Sequence, residues 1–164
     1  MPDRDFAADL IALLPDLHRY GLRLSRRGDV ADDLMQVTVE RALLARDRLD
    51  PDRAMKPWLL RILHNAFIDM TRRTRTRGQE VDIFDVPEAA TVDGAAVTEA
   101  ALMLSAADRA LADLPDDQRA VMLLVCYQEM TYAEAAEILD VPVGTVMSRL
   151  ARARKAMAAR MGIN

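Results

Sequence analysis

The sequence TYAEAAEILDVPVGTVMSRLARARK, residues 131–155, predicts two short helices joined by a tight turn. Thr131 and Glu134 have the T-x-x-E spacing of a capping box, which gives the first helix a defined start. Asp140 follows that helix where the chain must turn sharply, and Asp tolerates a left-handed backbone better than most residues. Pro142 cannot continue the first helix but suits the start of the second. The other parts of the chain can be arranged around this helical pair.

The second helix of the pair has one apolar face and one polar, basic face. Its apolar residues recur at steps of four, three and four, as in a buried stripe: Val146, Leu150, Ala153 and Met157. From residue 141 onward there are five basic residues and no acidic one, whereas a face that is only solvated usually mixes charges. The pattern favours a helix-turn-helix whose second helix enters the DNA major groove. Candidates for base edges are Thr145, Ser148 and Arg149, and candidates for phosphates are Arg152, Arg154 and Lys155. The alternative is a plain αα-hairpin with a charged outer face.

Composition predicts an all-α fold and excludes several other classes. A chain of 164 residues can form one ordinary domain or two small ones, and it is rich in the helix formers Ala, Leu, Met and Arg. The single cysteine, Cys126, excludes an internal disulfide and suits a reducing compartment. No metal-ligand or phosphate-loop spacing occurs, so we expect no enzyme activity, no metal and no cofactor. The longest apolar run, residues 121–127, is too short to span a membrane, so we expect a soluble cytoplasmic protein without membrane insertion.

Charge divides the chain into three parts. The net charge of −4 argues at first against a nucleic-acid partner, but its distribution matters more. Residues 1–78 carry 15 basic and 12 acidic side chains, whereas residues 79–99 carry six acidic and no basic ones. Residues 79–98 also lack apolar residues at regular helical spacing, which is typical of a linker. We therefore expect two small helical domains, 1–78 and 99–164, joined by a flexible acidic linker at 79–98.

Hydrophobic periodicity predicts five further helices, at about residues 6–26, 30–46, 57–77, 99–111 and 116–128. Pro15 is expected to split or kink the first helix. Gly28 is expected to end it, and Asp29 to cap the second one. In the second helix Leu34, Val37 and Leu44 are expected to point inward. His64 is expected at the surface or at the edge of the third helix, opposite its apolar stripe.

The order of these segments resembles the extracytoplasmic-function group of the sigma-70 family, with features similar to its general-stress-response branch. DDLMQVTVERAL at 32–43 is similar to the segment that binds core polymerase. KPWLLRILHNAFIDMTRR at 56–73 is similar to the helix that melts the promoter and reads its minus-ten element. LPDDQRAVMLLV at 114–125, followed by the stretch that begins at Thr131, is similar to the domain that binds the minus-thirty-five element. The resemblance implies sigma domain 2, an acidic linker and sigma domain 4.

The resemblance also implies partners and site residues. The partners would be core RNA polymerase, promoter DNA and an anti-sigma factor. Loop 51–56 would hold an extruded base. Trp58 would stack on a base, and the alternative is that Trp58 is an ordinary core residue. Met147 departs from the family, in which many members carry Lys or Arg at this position. The residues implied for core polymerase are Asp33, Leu34, Gln36, Val37 and Arg41; for the minus-ten element, Lys56, Trp58, Arg61, Asn65, Arg72 and Arg73; and for the minus-thirty-five element, Thr145, Ser148, Arg149, Arg152 and Lys155.

Two rival functions are compatible with parts of the sequence. A helix-turn-helix repressor would account for residues 131–155 but would leave residues 30–73 unexplained. A sigma-like decoy that only titrates an anti-sigma factor would not need a basic DNA-contacting face, and such basic residues are present. Binding to duplex DNA without polymerase would favour the repressor, whereas binding only with core polymerase would favour a sigma factor.

Overall fold

The structure, a computed structural model, describes residues 5–77 and 99–163, without the side chains at 99–104. Its regular elements are helical, which confirms the predicted all-α class. The predicted acidic linker at 79–98 lies outside the described residues. Within the described ranges, no helix combines the length and apolarity needed to cross a bilayer. The helices are α1 (Phe6–Ser25), α2 (Gly28–Leu44), a 3₁₀ turn (Arg46–Arg48), α3 (Met55–Thr76), α4 (Glu99–Ala112), α5 (Asp116–Met122), a π-helical segment (Leu123–Tyr127), α6 (Tyr132–Leu139) and α7 (Val143–Arg160).

Helices α1, α2 and α3 pack on one another and form what we call the N-terminal half, residues 5–77. Asp5 caps α1 by accepting a hydrogen bond from the backbone N–H of Ala8 at 3.2 Å. Pro15 does not split α1, because the helix continues on both sides of it, so one of the two outcomes expected for this proline, splitting or kinking, does not occur. Pro15 removes one backbone donor, but Ile11, which carries the corresponding carbonyl, is well exposed and can bond to water.

The junction between α1 and α2 differs from the prediction by two residues. Arg26 ends α1 in a left-handed conformation with φ 63°, and its N–H bonds to the carbonyl of Leu22 at 2.8 Å. Gly28 is not the cap of α1 but the first residue of α2, and Asp29 lies in the first turn of α2. An acidic side chain there interacts favourably with the helix dipole, so Asp29 supports the start of α2 without capping it.

One other prediction of orientation was wrong, and the last part of one predicted helix is π-helical instead of α-helical. Leu44 was expected to point inward, but it is the last residue of α2 and is 88% exposed. The helix predicted up to Gln128 changes at residue 123 from α5 to the wider π-helical segment, in which the N–H of Gln128 bonds to the carbonyl of Leu123 at 2.9 Å. Such segments insert a residue into a helix and shift the faces that follow.

The C-terminal half, residues 99–163, packs directly against the N-terminal half. Helix α6 contacts α3, and α1 contacts both α5 and the π-helical segment. The buried apolar residues of the two halves form one continuous core, to which Leu17 and Leu63 contribute from one side and Leu124 and Ile138 from the other. The sequence left open whether the halves associate, and in this structure they do.

Polar contacts between the halves end mainly on backbone carbonyls. Arg119, only 1% exposed, donates from Nε to the carbonyl of Leu24 at 3.2 Å. Arg26 Nη1 donates in the opposite direction, to the carbonyl of Ala112 at 2.9 Å. Gln128 Nε2 donates to the carbonyl of Asp16 at 3.3 Å. Burial of the Arg119 guanidinium disfavours its charged form, so these carbonyl acceptors are needed to keep the buried charge from being unpaired.

Candidate nucleic-acid interface

The local fold of the helix-turn-helix follows the prediction closely. The Thr131 hydroxyl accepts from the Glu134 N–H, and the Glu134 carboxylate accepts from the Thr131 N–H, each at 3.0 Å. Asp140 ends α6 in a left-handed conformation with φ 53°, and Pro142 precedes α7. Three apolar residues of α7 fix its inner face in the core: Val146, Leu150 and Ala153. This packing decides which side of α7 faces outward.

The outward side of α7 carries most of the residues predicted to bind the minus-thirty-five element. Ser148, Arg152 and Lys155 are exposed, and Thr145 is half-buried. The hydroxyl of Ser148 donates to the Thr145 carbonyl at 3.1 Å, which leaves the oxygen of Ser148 available as an acceptor. These side chains give α7 a polar, cationic outer face without an acidic residue.

Arg149 is oriented differently from the other members of this set. Its side chain is 26% exposed, and its Nε lies 3.7 Å from Oδ2 of Asp117 on α5. Its charge also reaches His64 in the opposite half, where it contributes to lowering the pKa of that imidazole. In this arrangement Arg149 therefore faces α5 and the contact between the halves instead of projecting with Ser148 and Arg152.

Helix α3 presents the second set of predicted DNA-contacting residues. Arg61, Asn65, Arg72 and Arg73 are exposed along this helix. Lys56 is half-buried, and its Nζ lies 3.4 Å from Oδ2 of Asp16. Trp58 is also half-buried and packs edge-on against Phe6, with ring centroids 6.1 Å apart. The contact with Phe6 favours the interpretation of Trp58 as a core residue over that of a base-stacking residue. The exposed arginines and Asn65 remain available to a ligand.

A cleft of about 470 Å³ lies beside the loop predicted to hold an extruded base. One wall comes from residues 48–54 and the start of α3, and it includes Arg53, Trp58 and Arg61. The opposite wall comes from α6 and carries the carboxylates of Glu134 and Glu137. Arg53 Nη1 lies 3.7 Å from Oε2 of Glu137, so an ion pair joins the two walls. The helix-turn-helix half thus forms one side of the candidate base-binding cleft.

Helix α2 presents the residues predicted to bind core polymerase, with one correction. Asp33 and Gln36 are exposed, and Val37 and Arg41 are half-buried. Arg41 Nη2 lies 3.2 Å from Oδ2 of Asp69 on α3. Leu34 is 0% exposed and packs in the core, so it orients α2 and offers no surface to a partner in this structure. Its place in the apolar period of α2 was the signal for this burial.

His64 is buried rather than at the surface. Its Nδ1 lies 3.2 Å from the hydroxyl of Tyr20, and its ring packs at a tilt against Phe67. Burial lowers the pKa of His64 to about 4, and the positive charge of Arg149 acts in the same direction. The imidazole is therefore neutral at physiological pH and acts in packing and hydrogen bonding.

Sequence reasoning gave no role to Arg119 or to the pair formed by Tyr20 and His64. Each depends on a partner far away in the chain: 44 residues separate Tyr20 from His64, and 95 separate Leu24 from Arg119. The local sequence shows only that Arg119 follows Asp116 by three residues on α5, a spacing that indicates an ion pair along the helix and not a contact with Leu24.

Comparison with known proteins identifies both halves. Residues 10–77 match the family described as Sigma-70 region 2, and residues 104–157 match Sigma-70, region 4. The ECF RNA polymerase sigma factor EcfG of Rhodopseudomonas palustris (strain TIE-1) is 35% identical over 156 residues, which covers 95% of this chain and 84% of that protein. The ECF RNA polymerase sigma factor SigM of Mycobacterium tuberculosis (strain ATCC 25618 / H37Rv) is 37% identical over 148 residues, which covers 89% of this chain and 71% of that protein.

Two solved structures are similar to this chain over most of its length. The sigma factor RpoE from Bartonella quintana, in complex with the anti-sigma factor NepR, has a TM-score of 0.80 and 29% identity and covers 98% of this chain and 99% of its own. CnrH in complex with the cytosolic domain of CnrY has a TM-score of 0.69 and 26% identity, and the match covers 97% of this chain and 88% of CnrH. Because both regions match in order and relatives align along nearly the whole length, the chain belongs to the sigma-70 family, in its group of ECF RNA polymerase sigma factors.

Proposed function

We propose that this sigma factor directs core RNA polymerase to promoters through two separate DNA-contacting faces, one on α3 and one on α7. Residues 1–78 act as sigma domain 2, residues 99–164 as sigma domain 4, and residues 79–98 as the linker between them. The observation that carries this proposal is that each half turns a set of predicted DNA-contacting residues outward: Arg61, Asn65, Arg72 and Arg73 on α3, and Ser148, Arg152 and Lys155 on α7.

The α3 face contacts the minus-ten element after the duplex opens. An unstacked base needs a recess with stacking and hydrogen-bonding groups, and its phosphates need nearby cations. The cleft beside Trp58 provides a recess, and Arg61 supplies a cation at its edge. Asn65 offers both a donor and an acceptor to a base edge. Arg72 and Arg73 lie farther along α3, where they neutralise backbone phosphates.

Promoter binding in this cleft requires α6 to withdraw from it. Glu134 and Glu137 line the wall opposite Arg53, and their carboxylates repel phosphate groups. The ion pair between Arg53 and Glu137 is well exposed, so it contributes little to stability and does not resist separation by itself. Most of the resistance comes from the apolar core shared by the two halves.

Core polymerase binds the outer side of α2 through Asp33, Gln36, Val37 and Arg41. An anti-sigma factor is a second protein partner, and its role is to hold the two halves together. This proposal is supported by the likeness of the whole chain to RpoE in complex with NepR and to CnrH in complex with CnrY. The protein acts in the cytoplasm, where polymerase and promoter DNA are present. Its assignment to the general-stress-response branch remains a prediction.

Transcription in vitro with purified core polymerase and a pool of genomic promoters tests the function. The full chain with core polymerase should select and open a discrete set of promoters, and neither component alone should do so. The double variant Arg72→Ala/Arg73→Ala should reduce opening of the minus-ten region, measured with permanganate. Arg109→Ala, which removes an exposed arginine of α4 outside both faces, is the matched control. Tight binding of the chain alone to duplex DNA would instead indicate a repressor.

A further inference from the structure

Two apolar side chains stand on the outer surface at the start of α7. Val143 is 42% exposed and Met147 is 53% exposed. They are four residues apart, so their side chains lie next to each other on one face of the helix. The inner face of α7 is already filled by Val146, Leu150 and Ala153, all of which are buried. Packing within the chain therefore does not account for the apolar character of Val143 and Met147.

The surroundings of this pair fit nucleic acid better than a protein core. Ser148 is exposed beside Met147, and the exposed cation Arg154 follows Met147 by seven residues, two turns farther on the same side of α7. Gly144 lies between the two apolar residues, and a Cβ added there would meet no atom within 4 Å. The surface is thus open to close approach, and a cation that can bind a phosphate follows on the same side of the helix.

We propose that Met147, supported by Val143, contacts the 5-methyl group of a thymine in the major groove of the minus-thirty-five element. This inference rests on the proposed function of α7. The thymine methyl is the apolar group that base edges present in the major groove, where the remaining recognition groups are hydrogen-bond donors and acceptors. Met is unbranched and flexible, so it can fit its side chain against a methyl group without a fixed pocket. Many family members carry Lys or Arg at this position, which can bind a phosphate. Met147 cannot, and it instead gives a preference for thymine.

The test replaces thymine by deoxyuridine, which removes the 5-methyl group and keeps the Watson–Crick pairing. The holoenzyme, formed from core polymerase and the full chain, first selects its minus-thirty-five element from a randomised pool. Each thymine on both strands of that element is then replaced in turn, and holoenzyme binding is measured on the resulting fragments. At one thymine we expect a loss of about three- to fivefold, the value for burial of one methyl group.

The variants decide whether Met147 is responsible for that loss. Met147→Ala should bind thymine and deoxyuridine fragments equally well, whereas Met147→Leu should keep the preference for thymine. Ile163→Ala removes a similarly exposed apolar side chain beyond the end of α7 and should behave as the wild type.

Two results would overturn the inference while leaving the proposed function intact. One is a selected element in which no thymine shows a methyl dependence, and the other is a methyl dependence that persists in Met147→Ala. Weaker binding of Met147→Ala to a protein partner, with no methyl dependence on DNA, would likewise count against it. A holoenzyme that selects no promoter at all would contradict the proposed function itself, and the inference with it.

Discussion

Acidification should destabilise this protein through His64. The imidazole is 7% exposed, and burial together with the charge of Arg149 lowers its pKa to about 4. In the unfolded chain the pKa of a histidine is about 6.5, so the unfolded state takes up a proton first as the pH falls. The stabilisation from neutral His64 is therefore complete above about pH 6.5 and is lost as the pH falls from there toward 4. Between about pH 7.5 and pH 5 the loss is about 2 kcal/mol.

Urea unfolding, followed by far-UV circular dichroism at both pH values, measures this loss. His64→Gln removes the titrating group and keeps a polar side chain opposite Tyr20. On acidification the free energy of unfolding of this variant should therefore fall by about 2 kcal/mol less than that of the wild type. His18→Gln is the matched control, because His18 is partly exposed and its Nε2 lies 3.3 Å from Oδ1 of Asp32. Equal pH dependence of the wild type and His64→Gln would refute the assignment of this stabilisation to His64.

Further substitutions test the other structural elements. Arg119→Met leaves buried carbonyls without a donor and should reduce the free energy of unfolding by about 2–4 kcal/mol, whereas the exposed control Arg109→Met should change it by less than about 0.5 kcal/mol; similar losses in both would contradict a buried guanidinium contact. Thr131→Ala removes half of the capping box and should cost about 1 kcal/mol, visible as a lower Tm. Asp140→Gly relieves the left-handed backbone and should raise stability by about 0.5 kcal/mol in urea unfolding, so a lower stability would argue against strain there. Arg149 faces α5 in this structure, so its predicted base contact requires the side chain to reorient on DNA; Arg149→Ala should then weaken promoter binding by the holoenzyme by ~1–3 kcal/mol in filter binding, and an unchanged affinity would exclude a base contact.

The helix-turn-helix was predictable because its determinants are local. The capping box at Thr131, the left-handed Asp140 and the position of Pro142 each follow from a few consecutive residues, and the structure confirms all three. Of the four residues in the predicted apolar stripe of α7, the first three are buried and Met157 is partly buried, because a stripe at helical spacing packs against a neighbouring element. The existence of most other helices followed in the same way, and their ends shifted by one or two residues.

Features that depend on distant partners could not be predicted. A helical period shows that a stripe is buried but does not show which element covers it, so the packing of α6 on α3 was not derivable. His64 was expected at the surface or at the edge of α3 because it falls opposite the apolar stripe of that helix, and its partner Tyr20 belongs to another helix. The π-helical segment and the left-handed Arg26 are solutions imposed by packing, and no turn residue marks them. The candidate DNA-contacting residues on α3 came from the family resemblance, whereas those on α7 already followed from the helix-turn-helix pattern, and the structure adds which of them are exposed.

The donors that join the two halves have a consequence for how this sequence can change over time. Arg119, Arg26 and Gln128 all reach main-chain oxygens, at Leu24, Ala112 and Asp16. Every amino acid carries such an oxygen, so mutational drift at the three acceptor positions leaves the bonds themselves in place. For these three bonds only the donor must keep its chemical identity, so either half can change an acceptor residue without a matching change of the donor in the other half.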